Sequence, residues 1–169
     1  MSFKEIKPEE LNFNPFTRIG SDWMLLTAGT KDKFNTMTAS WGGAGVFWGK
    51  PAVTCYIRPQ RYTKEFVDNS DYFTLCFFDE SYRKALNLCG RTSGRDVDKI
   101  KECGFTVQAG AGNAPYFAEA ELVLVCKKRY VQPMKPECFT DETIDGKFYP
   151  QKDYHVMYIG QIVEAYQKG

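Results

Sequence analysis

Several common chemistries are missing from this sequence. The six cysteines, Cys55, Cys76, Cys89, Cys103, Cys126 and Cys138, are never closer than twelve positions, which leaves no CxxC redox pair and no zinc-ribbon spacing. His155 is the only histidine, and no GxGxxG fingerprint announces a dinucleotide domain. No apolar run approaches the roughly 18 to 20 residues of a membrane-spanning helix, so no membrane association is expected. Charge of one sign is not in excess either: 22 Lys and Arg against 21 Asp and Glu give a net +1, no global field for nucleic acid or an anionic membrane. The first ten residues, MSFKEIKPEE, are charged rather than apolar and lack the pattern of a secretory signal, so a cytoplasmic, thiol-reducing setting is expected. Without repeats, low-complexity tracts or linkers, residues 1–169 read as one domain, long enough to bury roughly 70% of its unfolded surface.

What is abundant is aromatic: 13 Phe, 10 Tyr and 3 Trp suit a β-rich core or an aromatic-lined pocket better than a helical bundle. Strand-like runs at 23–29, 34–41, 52–58, 72–78, 119–131 and 154–166 are rich in β-branched and aromatic residues. GTKDK between the first two is a hairpin turn, and the same antiparallel pairing is expected between the second and third across the Gly-rich GGAGVFWGKP. Short helices are predicted from Thr63 to Asn69 with Thr63 as N-cap, from Ser81 to Cys89 before Gly90, and from Asp96 to Cys103 before Gly104. Residues 132–153 hold three prolines and no sustained periodicity, and read as a long excursion of the kind that tends to be functional or disordered.

Chemistry concentrates between residues 34 and 66. Thr36, Thr38 and Ser40 alternate with Met37, Ala39 and Trp41, so a strand here sends the two sets to opposite faces. Arg58, Arg61, Tyr62 and Thr63 then precede a helix, and two guanidinium groups beside free N–H groups make a sound phosphate site. The same residues also fit an ordinary hairpin running into a capped surface helix. In GRTSGRD, Ser93, Gly94 and Arg95 form a candidate second anion-binding turn, or a helix cap with a solvated arginine. The cysteines in apolar runs, Cys126 among them, are expected in the core, while Cys55 draws attention because its strand leads to Arg58.

NTMTASWGG, GKP, IRPQRYT, SGRDVDKI and a late YHVMYIGQIV, in that order, resemble the flavin reductase-like, FMN-binding split-barrel family over nearly the whole chain. The resemblance implies a mainly β fold, a six-stranded antiparallel Greek-key split barrel with inserted short helices. It also implies a homodimer with one FMN per subunit at or near the interface. It places Asn35, Thr36, Met37, Thr38, Ala39, Ser40 and Trp41 along the isoalloxazine and ribityl chain, with backbone N–H groups facing the ring, and Cys55 beside them. It assigns the phosphate to Arg58, Arg61, Tyr62 and Thr63 or a subset, adds Ser93, Arg95 and Lys99 at that end, and brings His155 close to the flavin or the incoming nicotinamide. Implied is an oxidoreductase that accepts hydride from NADH or NADPH onto FMN and passes electrons to free flavin or another acceptor. The alternative is an electron carrier without a nicotinamide site that exchanges electrons with a redox protein partner. The MTASWGGAGVFWG segment resembles the flavoredoxin-like branch rather than the compact hydroxyl-paired turn of the dedicated reductases. Pyridoxal phosphate or haem in a related cleft is a third reading, though no haem motif is present.

Overall fold

In the computed structural model, which describes residues 2–169, alternation along the strands explains how one sheet serves two cores. The chain forms β1 (Phe3–Glu5), α1 (Pro15–Gly20), β2 (Met24–Thr30), β3 (Lys33–Ala39), β4 (Gly42–Phe47) and β5 (Lys50–Ile57). Then come α2 (Tyr62–Asp68), β6 (Tyr72–Phe77), α3 (Arg83–Arg91), α4 (Lys99–Cys103), β7 (Val107–Ala109) and β8 (Pro115–Phe117). β9 (Leu122–Pro133), α5 (Glu142–Phe148) and β10 (Val156–Lys168) complete it. The main sheet is antiparallel in the order β3-β2-β6-β9-β10-β5-β4, with β1 on the side of β10 and β7-β8 as a separate hairpin. It does not close by hydrogen bonds between β3 and β4, and this is the split of the barrel.

Met24, Leu26 and Ala28 of β2 point into one core with Met37, Val53 and Phe73, whereas Leu25 joins the other with Leu86 of α3, Phe105 and Phe117. A strand covered on both faces loses visible alternation and reads as a continuous apolar run, as β2 and the first half of β9 do. Each large side chain so buried contributes about 1.5–3 kcal/mol of transfer free energy. β9 and β10 shift register between Ile159 and Gly160 and again between Ile162 and Glu164, irregularities that let strands this long bend with the barrel. Among the described residues no helix is long and apolar enough to cross a membrane.

All six expected strands are present, joined by four short ones that β propensity alone does not reveal. The hairpin across Lys31 and Asp32 is as expected, with Thr27 opposite Thr36. The expected pairing of the second and third runs is not found. The Gly-rich segment is itself strand β4, which pairs with β5, so β3 and β4 occupy opposite edges with only Ser40 and Trp41 between them. Glycine lowered the β signal there, although backbone hydrogen bonding needs no side chain.

Three helix boundaries also move. Arg61, not Thr63, is the N-cap of α2, because the Thr63 hydroxyl turns inward and accepts a hydrogen bond from Asn35 Nδ2 at 2.8 Å. Gly90 lies inside α3, which runs on to Arg91. α4 starts late, with the Asp98 side chain capping it, and ends as expected on Gly104 at φ 68°, the left-handed conformation that glycine supplies at low cost. The 132–153 excursion contains the end of β9 and the helix α5, started by the Asp141 side chain accepting from the Thr143 N–H.

Candidate functional site

β3, the N-terminus of α2 and the Arg91–Arg95 turn meet around a cleft of about 290 Å³ lined by Asn35, Arg58, Arg61, Thr63, Ser93 and Lys99. Asn35, Tyr62, Gly94 and Lys99 also line a neighbouring trough of about 570 Å³, so the two hollows share one rim. Their close packing depends on Gly94: a Cβ there would lie 1.9 Å from Asn35 Oδ1. Residues far apart in sequence are thereby brought together around one cleft.

Lys99 is the most informative of them. It is 4% exposed, and its ammonium donates to the Thr36 carbonyl at 2.8 Å and the Cys89 carbonyl at 2.9 Å. Arg61 donates to the Gly90 carbonyl at 2.8 Å. Neither cation is in any ion pair among the described residues, and nor is Arg91 at the rim. Burial lowers the pKa of both Arg61 and Lys99, and positive neighbours add to it, Arg58 acting on Arg61 and Arg61 on Lys99. Carbonyl oxygens orient these groups without cancelling their charge, which suits an anionic ligand such as a phosphate.

The other expected phosphate residues divide. Arg58 is engaged by the last excursion: it pairs with Asp153 at 2.7 Å, donates to the Phe148 carbonyl at 2.9 Å, and lies 5.0 Å over the Tyr149 ring. Arg95 pairs with Glu65 and covers the Tyr62 ring at 4.3 Å. The Ser93 hydroxyl oxygen accepts from the Arg95 N–H at 3.2 Å and keeps its own proton free to donate. Cys55 is fully buried in the barrel core, where burial raises its thiol pKa far above the ordinary range, so its sulfur faces no cleft. Gln60, Arg91 and Thr92 line the cleft without having been expected there, and Gly94 lines it as part of the candidate anion-binding turn. For Arg91 and Thr92 the signal was their place beside SGRD, obscured because Gly90 read as a helix stop.

β3 carries the cleft toward an aromatic wall. The Thr36 carbonyl reaches Lys99, so it points away from β2. A residue of an antiparallel strand turns its N–H and C=O to the same side, so the N–H groups of Thr36 and, two residues on, Thr38 face the free edge. The Thr36 hydroxyl itself is taken up by Thr27 at 2.8 Å, and Met37 and Ala39 are buried in the core. The Thr38 hydroxyl donates to the Leu86 carbonyl. Beyond the half-buried Ser40, Trp41 is 42% exposed, packed edge-on to Phe148 at 5.6 Å and against His155 at 4.9 Å. His155 is buried, its Nδ1 2.8 Å from the Tyr149 hydroxyl, and burial together with the Arg58 charge pushes its pKa down to about 4. It is a neutral imidazole at physiological pH, suited to packing and hydrogen bonding rather than to proton transfer.

The family model described as a flavin reductase like domain matches residues 16–169. Among solved structures, the chain is similar to a flavoredoxin from Methanosarcina acetivorans at 25% identity and a TM-score of 0.68, over 87% of this chain and 68% of that one. It shares its fold with a flavoredoxin of Desulfovibrio vulgaris at 20% identity and a TM-score of 0.67, over 86% and 69% of the two chains. The fold also matches an NADH:FAD oxidoreductase of Streptomyces globisporus at 17% identity and a TM-score of 0.64, over 87% and 75%. No curated protein matches the chain.

Proposed function

The chain belongs to the flavin reductase-like domain family, and from that premise we propose that it acts as one domain that binds FMN and works as an oxidoreductase, taking hydride from NADH or NADPH and passing the electrons to free flavin or another acceptor. The observation that carries this reading is the pair of uncompensated cations, Arg61 and Lys99, held by carbonyl oxygens at the end of a strand edge with free N–H groups. In the proposal Arg61, Lys99 and the Ser93 hydroxyl hold the phosphate, with Thr63 and Asn35 setting the cleft's shape, while Tyr62 and Arg95 border it. The Thr36 and Thr38 N–H groups face the ring, which lies toward Trp41, and Arg58 positions the Phe148–Asp153 segment. When bound, FMN supplies the two-electron chemistry, and the protein orients the reactants and stabilises negative charge. The pKa of His155 leaves it the role of wall rather than acid.

The flavoredoxin similarity supports a second reading, an electron carrier reduced by a redox protein partner. Anaerobic mixing of the FMN-loaded protein with NADH and NADPH separates the two. Rapid bleaching of the flavin is the result expected of the reductase, and inertness toward both nicotinamides would favour the carrier. A purified protein that is colourless and takes up no added FMN would overturn both readings.

The proposal extends to a homodimer in a reducing, cytoplasmic setting. Phe47, Trp48 and Tyr130 form an exposed aromatic group, with Trp48 4.5 Å from Phe47 and 6.4 Å from Tyr130, and Val46 and Val131 continue it. An exposed apolar patch of this kind suits a protein interface. Six free thiols fit the reducing compartment.

A further inference from the structure

Two of the carbonyls that hold the cleft's cations sit beside a pair of thiols. Cys89, in the last turn of α3, and Cys103, the final residue of α4, have Sγ atoms 3.9 Å apart. Cys89 is fully buried and Cys103 half-buried, which leaves the second as the point of attack for a small oxidant. The backbone carbonyl of Cys89 accepts from Lys99, the first residue of α4, and the next carbonyl, that of Gly90, accepts from Arg61. One turn of α3 therefore carries a thiol together with the Arg61 anchor and one of the two Lys99 anchors, the other being the Thr36 carbonyl of β3.

We propose that Cys89 and Cys103 form an oxidisable dithiol whose disulfide loosens the cationic cleft. With hydrogen peroxide as the oxidant, the Cys103 thiolate attacks one peroxide oxygen, giving a sulfenic acid and releasing hydroxide, which takes up the proton that the thiol lost. The Cys89 sulfur then displaces the sulfenic oxygen, which leaves as water with the second thiol proton. Two thiols have lost two electrons and two protons, and one peroxide has become two waters. Closing the pair to a bond of about 2 Å draws the end of α3 toward the end of α4. The Cys89 and Gly90 carbonyls, which orient Lys99 and Arg61, ride on that turn and move with it, while the Thr36 carbonyl stays on β3. The chemistry is slow at neutral pH, since burial raises the pKa of both thiols, that of Cys89 to about 12.

The link to FMN rests on the proposed function, whereas formation of the disulfide does not, and the test separates them. The variant Cys138→Ser removes the exposed thiol that would cross-link molecules. It is treated with a small excess of peroxide and digested without reduction. The expected product is one bridged peptide joining Cys89 to Cys103, two hydrogens lighter than the reduced pair and restored by dithiothreitol. FMN affinity of the oxidised protein is expected to fall about tenfold, and adding Cys103→Ser is expected to abolish both changes while leaving the reduced affinity unaltered. No bridged peptide, or one through other cysteines, overturns the dithiol. A bridge formed with unchanged FMN affinity overturns the coupling. A bridge in a protein that binds no FMN in either state supports the dithiol and overturns the cofactor reading.

Discussion

Arg58 and Arg61 leave the same turn and end in electrically different regions. Arg58 enters the aromatic wall, where Asp153 neutralises it at 2.7 Å and Tyr149 lies beneath it. Arg61 enters the cleft, where a carbonyl at 2.8 Å orients it and no carboxylate pairs with it. The contrast teaches that an arginine beside a candidate anion site in sequence is not thereby a ligand. What counts is whether the fold supplies a counter-charge, because a carboxylate spends the attraction that an arriving phosphate would otherwise receive.

The sharpest way to break this contrast is to remove the deepest cation. Replacing Lys99 with Met is expected to weaken FMN binding about a hundredfold, since a charge-assisted hydrogen bond is worth about 1.5–3 kcal/mol and two carbonyls lose their donor. Quenching of flavin fluorescence reads the affinity, and circular dichroism checks that the variant folds. Unchanged affinity in a folded variant would move the phosphate elsewhere.

Comparing the two arginines directly comes next. Arg61→Met is expected to cost about thirtyfold in FMN affinity, and Arg58→Met less than about threefold. The second variant should instead make the Phe148–Asp153 segment more sensitive to limited proteolysis. The reverse order of affinities would overturn the division of labour. A smaller effect, about tenfold on FMN affinity, is expected from Gly94→Ala, which adds no charge and removes none but drives a methyl group into Asn35. Wild-type affinity there would mean that the turn can retreat without consequence.

The gentlest test probes the wall by pH. The folded-state pKa of His155, about 4, lies below the ordinary 6.5, so between these values the unfolded chain binds a proton that the folded one does not. Stability must then fall as pH drops from about 6.5 toward 4, with no contribution from His155 above that window. Urea midpoints of wild type and His155→Gln at pH 5 and 7 isolate the effect from the carboxylates. Equal losses on acidification in both proteins would contradict the buried, neutral imidazole.

Legibility in the sequence followed the source of each structural signal. The strands were readable because their β-branched and aromatic residues carry the pattern locally, and even doubly covered β2 kept its apolar run. β4 was not, because its Gly42, Gly43, Ala44 and Gly45 pair through backbone atoms alone. In the cleft, residue types and order pointed to Arg61 and Ser93, and the family resemblance added Lys99. The sequence could not reveal which cation would meet an acid: Asp153 reaches Arg58 from a segment with no periodicity, and Lys99 finds its carbonyls on two other elements. Cys55 misled because membership of a strand that leads to a site says nothing of the face on which the side chain falls.

The two residues that join β3 to β4 limit how the barrel can move. Three Cα steps separate Ala39 from Gly42, and a fully extended chain covers only about 10 Å in that distance. The sheet's two unpaired margins are thus tethered beside Trp41, while their far ends at Lys33 and Phe47 have no such tie. The aromatic end therefore cannot part by more than that link allows, whereas no backbone connection of comparable length joins Lys33 to Phe47.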